Sequence, residues 1–158
     1  MGLSIIDYIS GITAGYAVTA ALLGAFRSGK GCDVDVTLYD VAMHQLTYPA
    51  TWYLNEGHVA RRRPRSGHPS VVPSEIFPTA DGWLFVMCIT PKFWEALCEG
   101  LGRPDLVKDK RFVGFKERFT NRDALAETLD KEFTRATTSE WMKRLAGTVP
   151  VAPVLTLQ

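Results

Sequence analysis

Arg27-Ser28-Gly29-Lys30-Gly31-Cys32-Asp33-Val34-Asp35-Val36-Thr37-Leu38-Tyr39-Asp40 sets the expected architecture. Its first residues close a helix, because the run from about Gly11 to Ser28 is rich in Ala and Leu and ends on Arg27 followed by a glycine stop. That run is apolar all round, which predicts a helix buried on most of its faces. After the turn at Gly29-Lys30-Gly31, Asp33 to Tyr39 alternates polar and apolar side chains with period two, the pattern of a half-buried strand. Asp40 is then placed to cap a second helix to about Thr47, with Val41, Met43 and Leu46 as its apolar stripe. Helix, strand and helix in this order predict an α/β fold class.

Downstream, the pattern changes. Five of the nine prolines (Pro49, Pro64, Pro69, Pro73 and Pro78) fall between Tyr48 and Pro78, where no apolar period survives, so a long connector is expected. A turn at Asp81-Gly82 leads to a strand from Trp83 to about Cys88 and a helix opened by Pro91, with Thr90 as its N-cap and Phe93, Trp94, Leu97 and Leu101 as its apolar face. Helices follow at about Asn121 to Arg135 and about Ser139 to Ala146, the latter behind the capping cluster Thr137-Thr138-Ser139. Val149 to Leu155 is a last extended piece. The expected organisation is a core segment at 1–48, a proline-rich linker at 49–78, a small α+β domain at 79–147 and a return segment at 148–158.

The 158 residues, 46% hydrophobic and 22% charged, have the balance of a globular domain and exclude disorder. Eighteen Lys and Arg against seventeen Asp and Glu leave a net charge of +1, so no overall field draws the chain to nucleic acid or to an anionic membrane. The apolar run Ile9 to Phe26 is interrupted by Ser10, Thr13, Thr19, Gly11, Gly15 and Gly24, which favours a buried helix over a membrane span. Asp7 is the only charge before Arg27, so no basic n-region marks an export signal. Cys32, Cys88 and Cys98 lack CxxC spacing and are read as reduced thiols of a cytoplasmic protein. A chain that starts almost directly in an apolar helix and stops on an extended apolar segment is expected to be cut from something longer.

Chemistry-bearing motifs are sparse. His44, His58 and His68 have no partners at metal-ligand spacing, and HExxH, P-loop, GxGxxG and GxSxG patterns are absent, so no metal site is expected. Trp52, Trp83, Trp94 and Trp141 sit at helical or strand positions, where core packing explains them better than base stacking. Arg61-Arg62-Arg63 and Arg65 can grip phosphate or carboxylate groups, or can merely keep the connector solvated. Asp7 lies a few residues before the helix expected near Gly11, where free backbone N–H groups keep a carboxylate ionised and can hold a developing oxyanion. The plainer alternative for Asp7 is a pre-helix capping acid.

Gly2-Leu3-Ser4-Ile5-Ile6-Asp7-Tyr8-Ile9-Ser10-Gly11, the Ala/Leu-rich helix and Arg27 to Asp40 together resemble the family III CoA-transferases, which include formyl-CoA and carnitine CoA-transferases and the related α-methylacyl-CoA racemases. Further blocks fit the same pattern: Gly67-His68-Pro69-Ser70-Val71-Val72-Pro73, Phe77 to Trp83 and Pro91-Lys92-Phe93-Trp94. So do Arg111-Phe112, Asn121-Arg122 and Val149 to Val154. The resemblance implies a Rossmann-like large-domain remnant plus a small α+β domain, and transfer of CoA between carboxylic acids through an aspartyl-acyl anhydride and an aspartyl-CoA thioester. By position in the motif the nucleophile falls on Asp7. Coenzyme A enters as a thioester substrate, no cofactor is bound permanently, and Arg62, Arg63 and Arg65 are weak candidates for holding it.

Two departures from the family pattern bear on substrate. The glycine run that covers the intermediate in some formyl-CoA transferases is replaced by Gly67-His68-Pro69-Ser70-Val71-Val72, which disfavours formyl-CoA and oxalate and points to a medium-sized, polar or dicarboxylic acyl group. Thr90 stands where racemases place a glutamate, and a threonine is no acid or base at neutral pH, which favours transferase over racemase. The family's longer chains interlink as ring dimers, so the apolar first helix is expected to pair with a second copy or with an absent N-terminal part. A racemase and a non-catalytic remnant are the alternatives, and the isolated chain is expected to be inactive.

Overall fold

A computed structural model describes residues 3–156, and the chain separates into two compact units, Met1–Ala60 and Arg61–Gln158. Gly2 of the first motif and residues 157 and 158 of the expected return segment lie outside the described residues.

The first unit holds α1 (Ile5–Ser28), α2 (Leu38–Gln45) and α3 (Thr47–Glu56). Helix α1 begins six residues before the expected Gly11, which puts Asp7 inside its first turn rather than ahead of it. It stops as the sequence predicts, at Gly29 with φ 70°, whose N–H donates to the Ala25 carbonyl at 2.8 Å. The expected burial is not found. Of the α1 residues only Ser10 is buried, while Tyr16 and Phe26 are 77% and 86% exposed. An all-round apolar helix needs neighbours on every side, and α2 is the principal one here. By length and composition α1 is also apolar enough to cross a membrane, with a mean hydropathy of 1.5, a test that core helices of soluble proteins pass as well.

The strand expected at Asp33 to Tyr39 does not form. Leu38 and Tyr39 already belong to α2, and the segment before them pairs with no strand among the described residues. Period-two alternation specifies a strand only where a ladder partner satisfies its backbone. Thr37 rather than Asp40 caps α2: its hydroxyl accepts from the Asp40 N–H at 3.0 Å and donates to Oδ2 of Asp40 at 2.8 Å. Helix α3 occupies part of the expected connector. Pro49 is compatible with it because it lies in the first turn, where the missing N–H has no intrahelical acceptor to satisfy.

The second unit is built on an antiparallel meander, β1 (Ser74–Pro78), β2 (Trp83–Met87) and β3 (Val151–Pro153), in the order β1-β2-β3. Phe77 pairs with Leu84, and Leu84 with Pro153. Helices α4 (Pro91–Gly100), α5 (Phe115–Thr120), α6 (Arg122–Phe133) and α7 (Thr138–Leu145) supply the rest. Phe77, Leu84, Val86, Trp94, Leu129 and Phe133 are among the buried side chains that join in one core. The β2 strand and helices α4, α6 and α7 match the sequence pattern to within two residues, and Thr90 caps α4 by accepting from the Phe93 N–H. Strand β1 was hidden by Pro73 just before it and Pro78 at its end, so it too lies within the expected connector. The chain thus combines helices with a small sheet, within the expected α/β class.

Asp81 ties the β1–β2 turn to α7. Its Oδ1 accepts from the Thr138 N–H at 2.7 Å, the Thr138 hydroxyl at 3.0 Å and the Thr79 hydroxyl at 3.2 Å. The bonds from Thr138 are the main reason its carboxyl titrates below the usual carboxylate range. A depressed folded-state pKa contributes stability that is present above the unfolded value and lost as pH falls through the folded one. Asp81→Asn is therefore expected to lower the urea midpoint at pH 7 and to flatten its acid dependence below about pH 4. An unchanged acid limb would show that Asp81 does not carry this linkage.

Candidate active site

Asp7 stands in the first turn of α1, where a carboxylate is favoured by the helix's unsatisfied N–H groups. Ser4 precedes the helix without a side-chain capping bond, so the terminus is not closed by its own N-cap. The Asp7 side chain is exposed. One turn on, the Ser10 hydroxyl is buried and has no hydrogen-bond partner among the described residues. The Asp7 carboxylate is thus open to solvent, while the hydroxyl at i+3 is shut away without a partner.

The same unit contains a cavity of about 420 Å³, lined by Thr13 of α1, Asp35, Thr37, Asp40 and His44 among others. Sequence reasoning did not find it, because it depends on the segment at 33–37 being unpaired. No group of three or more His, Cys, Asp or Glu side chains suited to a metal occurs among the described residues.

The arginine candidates belong to the second unit and differ in status. Arg62 and Arg63 are exposed. Arg65 is committed to structure: its Nη1 donates to Oδ1 of Asp130 at 2.6 Å and its Nη2 pairs with Oδ2 of the same carboxylate. Its backbone lies in the left-handed region at φ 56°, a conformation that this two-pronged pairing helps to hold. Arg63 instead borders a cavity of about 200 Å³ together with Glu75 and Arg122. Neither of the latter two was singled out as a binding residue, since an isolated acid and an isolated arginine carry no periodic signal.

The segment from Gly67 to Val72 is pinned at both ends. His68 Nδ1 accepts from the N–H groups of Ser70 and Val71 at 3.2 and 3.1 Å, and the His68 N–H donates to the Ser74 carbonyl at 2.8 Å. Arg122 Nη2 donates to the His68 carbonyl at 3.0 Å, and Nε of Arg118, a residue only 2% exposed, to that of Val72 at 3.1 Å. Two guanidinium groups thus fix the backbone that glycines would leave free. Thr90 spends its hydroxyl on the α4 cap, accepting from the Phe93 N–H at 3.4 Å.

The model of the family described as CoA-transferase family III matches residues 1–158. The chain belongs to that family. Among family III relatives, a probable fatty acyl-CoA transferase of Mycobacterium tuberculosis, Rv3272, is 34% identical over 151 residues, covering 89% of this chain and 38% of its own. The acetyl-CoA:oxalate CoA-transferase of Acetobacter aceti is 31% identical, with 98% and 40% covered. The succinyl-CoA:glutarate CoA-transferase of Mus musculus is 30% identical, with 99% and 36% covered. A crystal structure of Rv3272 superposes with a TM-score of 0.85 at 32% identity, over 99% of this chain and 40% of the other. The chain therefore spans well under half the length of the family III proteins it matches.

Proposed function

We propose that this chain forms part of an enzyme that moves CoA between carboxylic acids, with Asp7 as the nucleophile. The family match over residues 1–158 is the observation that carries this reading, and the exposed position of Asp7 in the first turn of α1 is compatible with it. The Asp7 carboxylate attacks the acyl-CoA carbonyl carbon, the C–S bond breaks, and CoA leaves as thiolate from an aspartyl-acyl anhydride. The thiolate then attacks Cγ of Asp7, which releases the donor acid and leaves an aspartyl-CoA thioester. The acceptor carboxylate attacks that thioester and expels thiolate again, and attack of the thiolate on the acceptor's acyl carbon frees both the new thioester and Asp7. The overall exchange of one thioester for another is close to balanced, so the site has mainly to position groups and hold oxyanions. No cofactor enters any step; CoA is consumed and regenerated as substrate.

The capping role of Thr90 supports transfer over racemisation, because a hydroxyl that accepts from the Phe93 N–H is neither placed nor acidic enough to move an α-proton. A dicarboxylic acceptor is supported by the oxalate and glutarate in two relatives' names, and the Acetobacter enzyme keeps oxalate within range despite the absence of a glycine run here. Exposed Arg62 and Arg63 are the proposed local charges for such an acid or for a CoA phosphate; Arg65, held by Asp130, is the least available of the three. The open apolar surface of α1, with Tyr8, Tyr16 and Phe26 outward, supports its being covered by a second copy or by further polypeptide of the same enzyme. A cytoplasmic setting accords with three free thiols, of which Cys88 and Cys98 are pushed up to about 12 by burial and so are inert.

Incubation of the enzyme with acyl-CoA and hydroxylamine tests the proposal. A transferase yields a hydroxamate at Asp7, found by peptide mass spectrometry. Deuterium entering the α-carbon of the acyl group from solvent, without that adduct, indicates a racemase. Neither signal from a fully assembled protein that binds CoA indicates a catalytically silent relative.

A further inference from the structure

The cavity beside the arginine loop is bounded by two buried residues of opposite charge, close enough to act on one another but joined by no ion pair. Glu75 on β1 is 7% exposed and Arg122 at the start of α6 is 9% exposed, and both line the same space of about 200 Å³. Arg122 spends Nη2 on the His68 carbonyl, but its Nη1 is buried with no partner. Among the described residues, Glu75 and Arg122 form neither a hydrogen bond nor an ion pair with each other, and of the two it is Arg122 Nη1 that is a buried, unsatisfied atom. Buried ionisable groups are normally paired, because an unmet charge in a poorly solvated site is costly. Here Arg122 keeps an unspent buried donor beside a cavity that Glu75 also lines.

Local charges sharpen the identity of what belongs there. Arg63 stands on the rim close enough to Arg122 that the two guanidinium groups repel, an arrangement that an anion between them relieves. Asp123 and Glu127 join Glu75 on the acidic part of the lining, while Arg65 is already neutralised by Asp130. Burial raises the Glu75 carboxyl above its ordinary range against the opposing pull of Arg122 and Arg65. A simple anion satisfies Arg63 and Arg122 and is repelled by three carboxyl groups; a simple cation has the opposite fault. At roughly 30 Å³ per water the space takes about six waters or one small organic molecule.

We infer that this cavity is a binding site for a small zwitterion, a free amino acid or similar molecule whose carboxylate lies on Arg122 and Arg63 and whose ammonium group lies on Glu75 and its acidic neighbours. The site shares Arg63 with the charges proposed above for the acid or for CoA, but its ligand and its test do not depend on that reading. Isothermal titration of the folded chain with glycine and β-alanine, against acetate and methylammonium as half-ligands, tests it without reference to transferase activity. At least one zwitterion is expected to bind with a dissociation constant of millimolar order or tighter, about tenfold better than either half-ligand. Glu75→Gln, which keeps the shape of the side chain, is expected to weaken that binding about tenfold, and Arg63→Ala on the exposed rim several-fold. Circular dichroism checks that each variant folds, and Arg63→Ala decides if Glu75→Gln does not. Equal binding of acetate and zwitterion, binding indifferent to both substitutions, or no saturable heat from any probe overturns the assignment and leaves a water-filled cavity.

Discussion

Phe133→Ala is expected to destabilise the second unit by about 3 to 5 kcal/mol, the usual cost of deleting a fully buried aromatic side chain. Phe133, at the end of α6, is completely buried and holds two elements at once. Its ring stacks on Phe77 of β1 at 5.1 Å between centroids and meets the edge of Trp141 of α7 at 5.3 Å. Its carbonyl accepts from Trp141 Nε1 at 2.7 Å, so the same residue satisfies the one polar atom that Trp141 brings into the core. Small domains are stable by only about 5 to 15 kcal/mol, which makes a loss of this size decisive for folding at physiological temperature. Urea unfolding followed by near-ultraviolet circular dichroism measures it, and Phe133→Leu is expected to recover most of the loss. A cost under about 1 kcal/mol would mean that Phe77 and Trp141 close the gap on their own.

The elements around Phe133 were legible in the sequence because each carries a local signal. Pro91 after Thr90 marks the start of α4, and Thr137 three residues before Glu140 marks that of α7, where the reciprocal capping box is formed. In the first unit the signals were equally strong and misleading. Asp33 to Tyr39 alternates as a strand should, but a strand is a relation between two segments, and no described residue supplies the second. The Ala/Leu run of α1 reads as buried for the same reason: its composition states what the helix needs, not what this chain provides. Strand β1 failed in the other direction, since Pro73 and Pro78 at its borders outweighed the apolar pair Ile76-Phe77 between them.

The candidate sites divide along the same line. Asp7 was found through a motif that spans consecutive residues, and no composition argument alone would have raised it above a helix-capping acid. Arg65 was grouped with its neighbours by sequence proximity, whereas its partner Asp130 lies 65 residues away. Glu75 and Arg122 come together only because β1 and α6 pack in one unit, and long-range pairing of this kind leaves no trace in local pattern.

In the assembled enzyme, Asp7→Asn is expected to reduce CoA transfer by on the order of 10⁴-fold or more, the scale on which removal of a covalent nucleophile acts. The amide matches the carboxylate in shape and leaves the charge of the site as the principal change. An amide oxygen does not open an acyl-CoA thioester to a mixed anhydride, so the first step fails rather than slows. Structure is not at stake, because the side chain is exposed in the first turn of α1 and the lost charge–dipole interaction is small. The helix content of the variant should therefore match that of the parent. Asp7→Glu keeps the carboxylate but carries it one methylene further out, and a displacement of about 1 Å is enough to cost on the order of 10²-fold. Asp7→Ala guards against slow deamidation of the asparagine, which would restore the nucleophile with time. Activity within about tenfold of the parent in both Asp7→Asn and Asp7→Ala would move the nucleophile elsewhere and leave Asp7 as the acid that opens a helix.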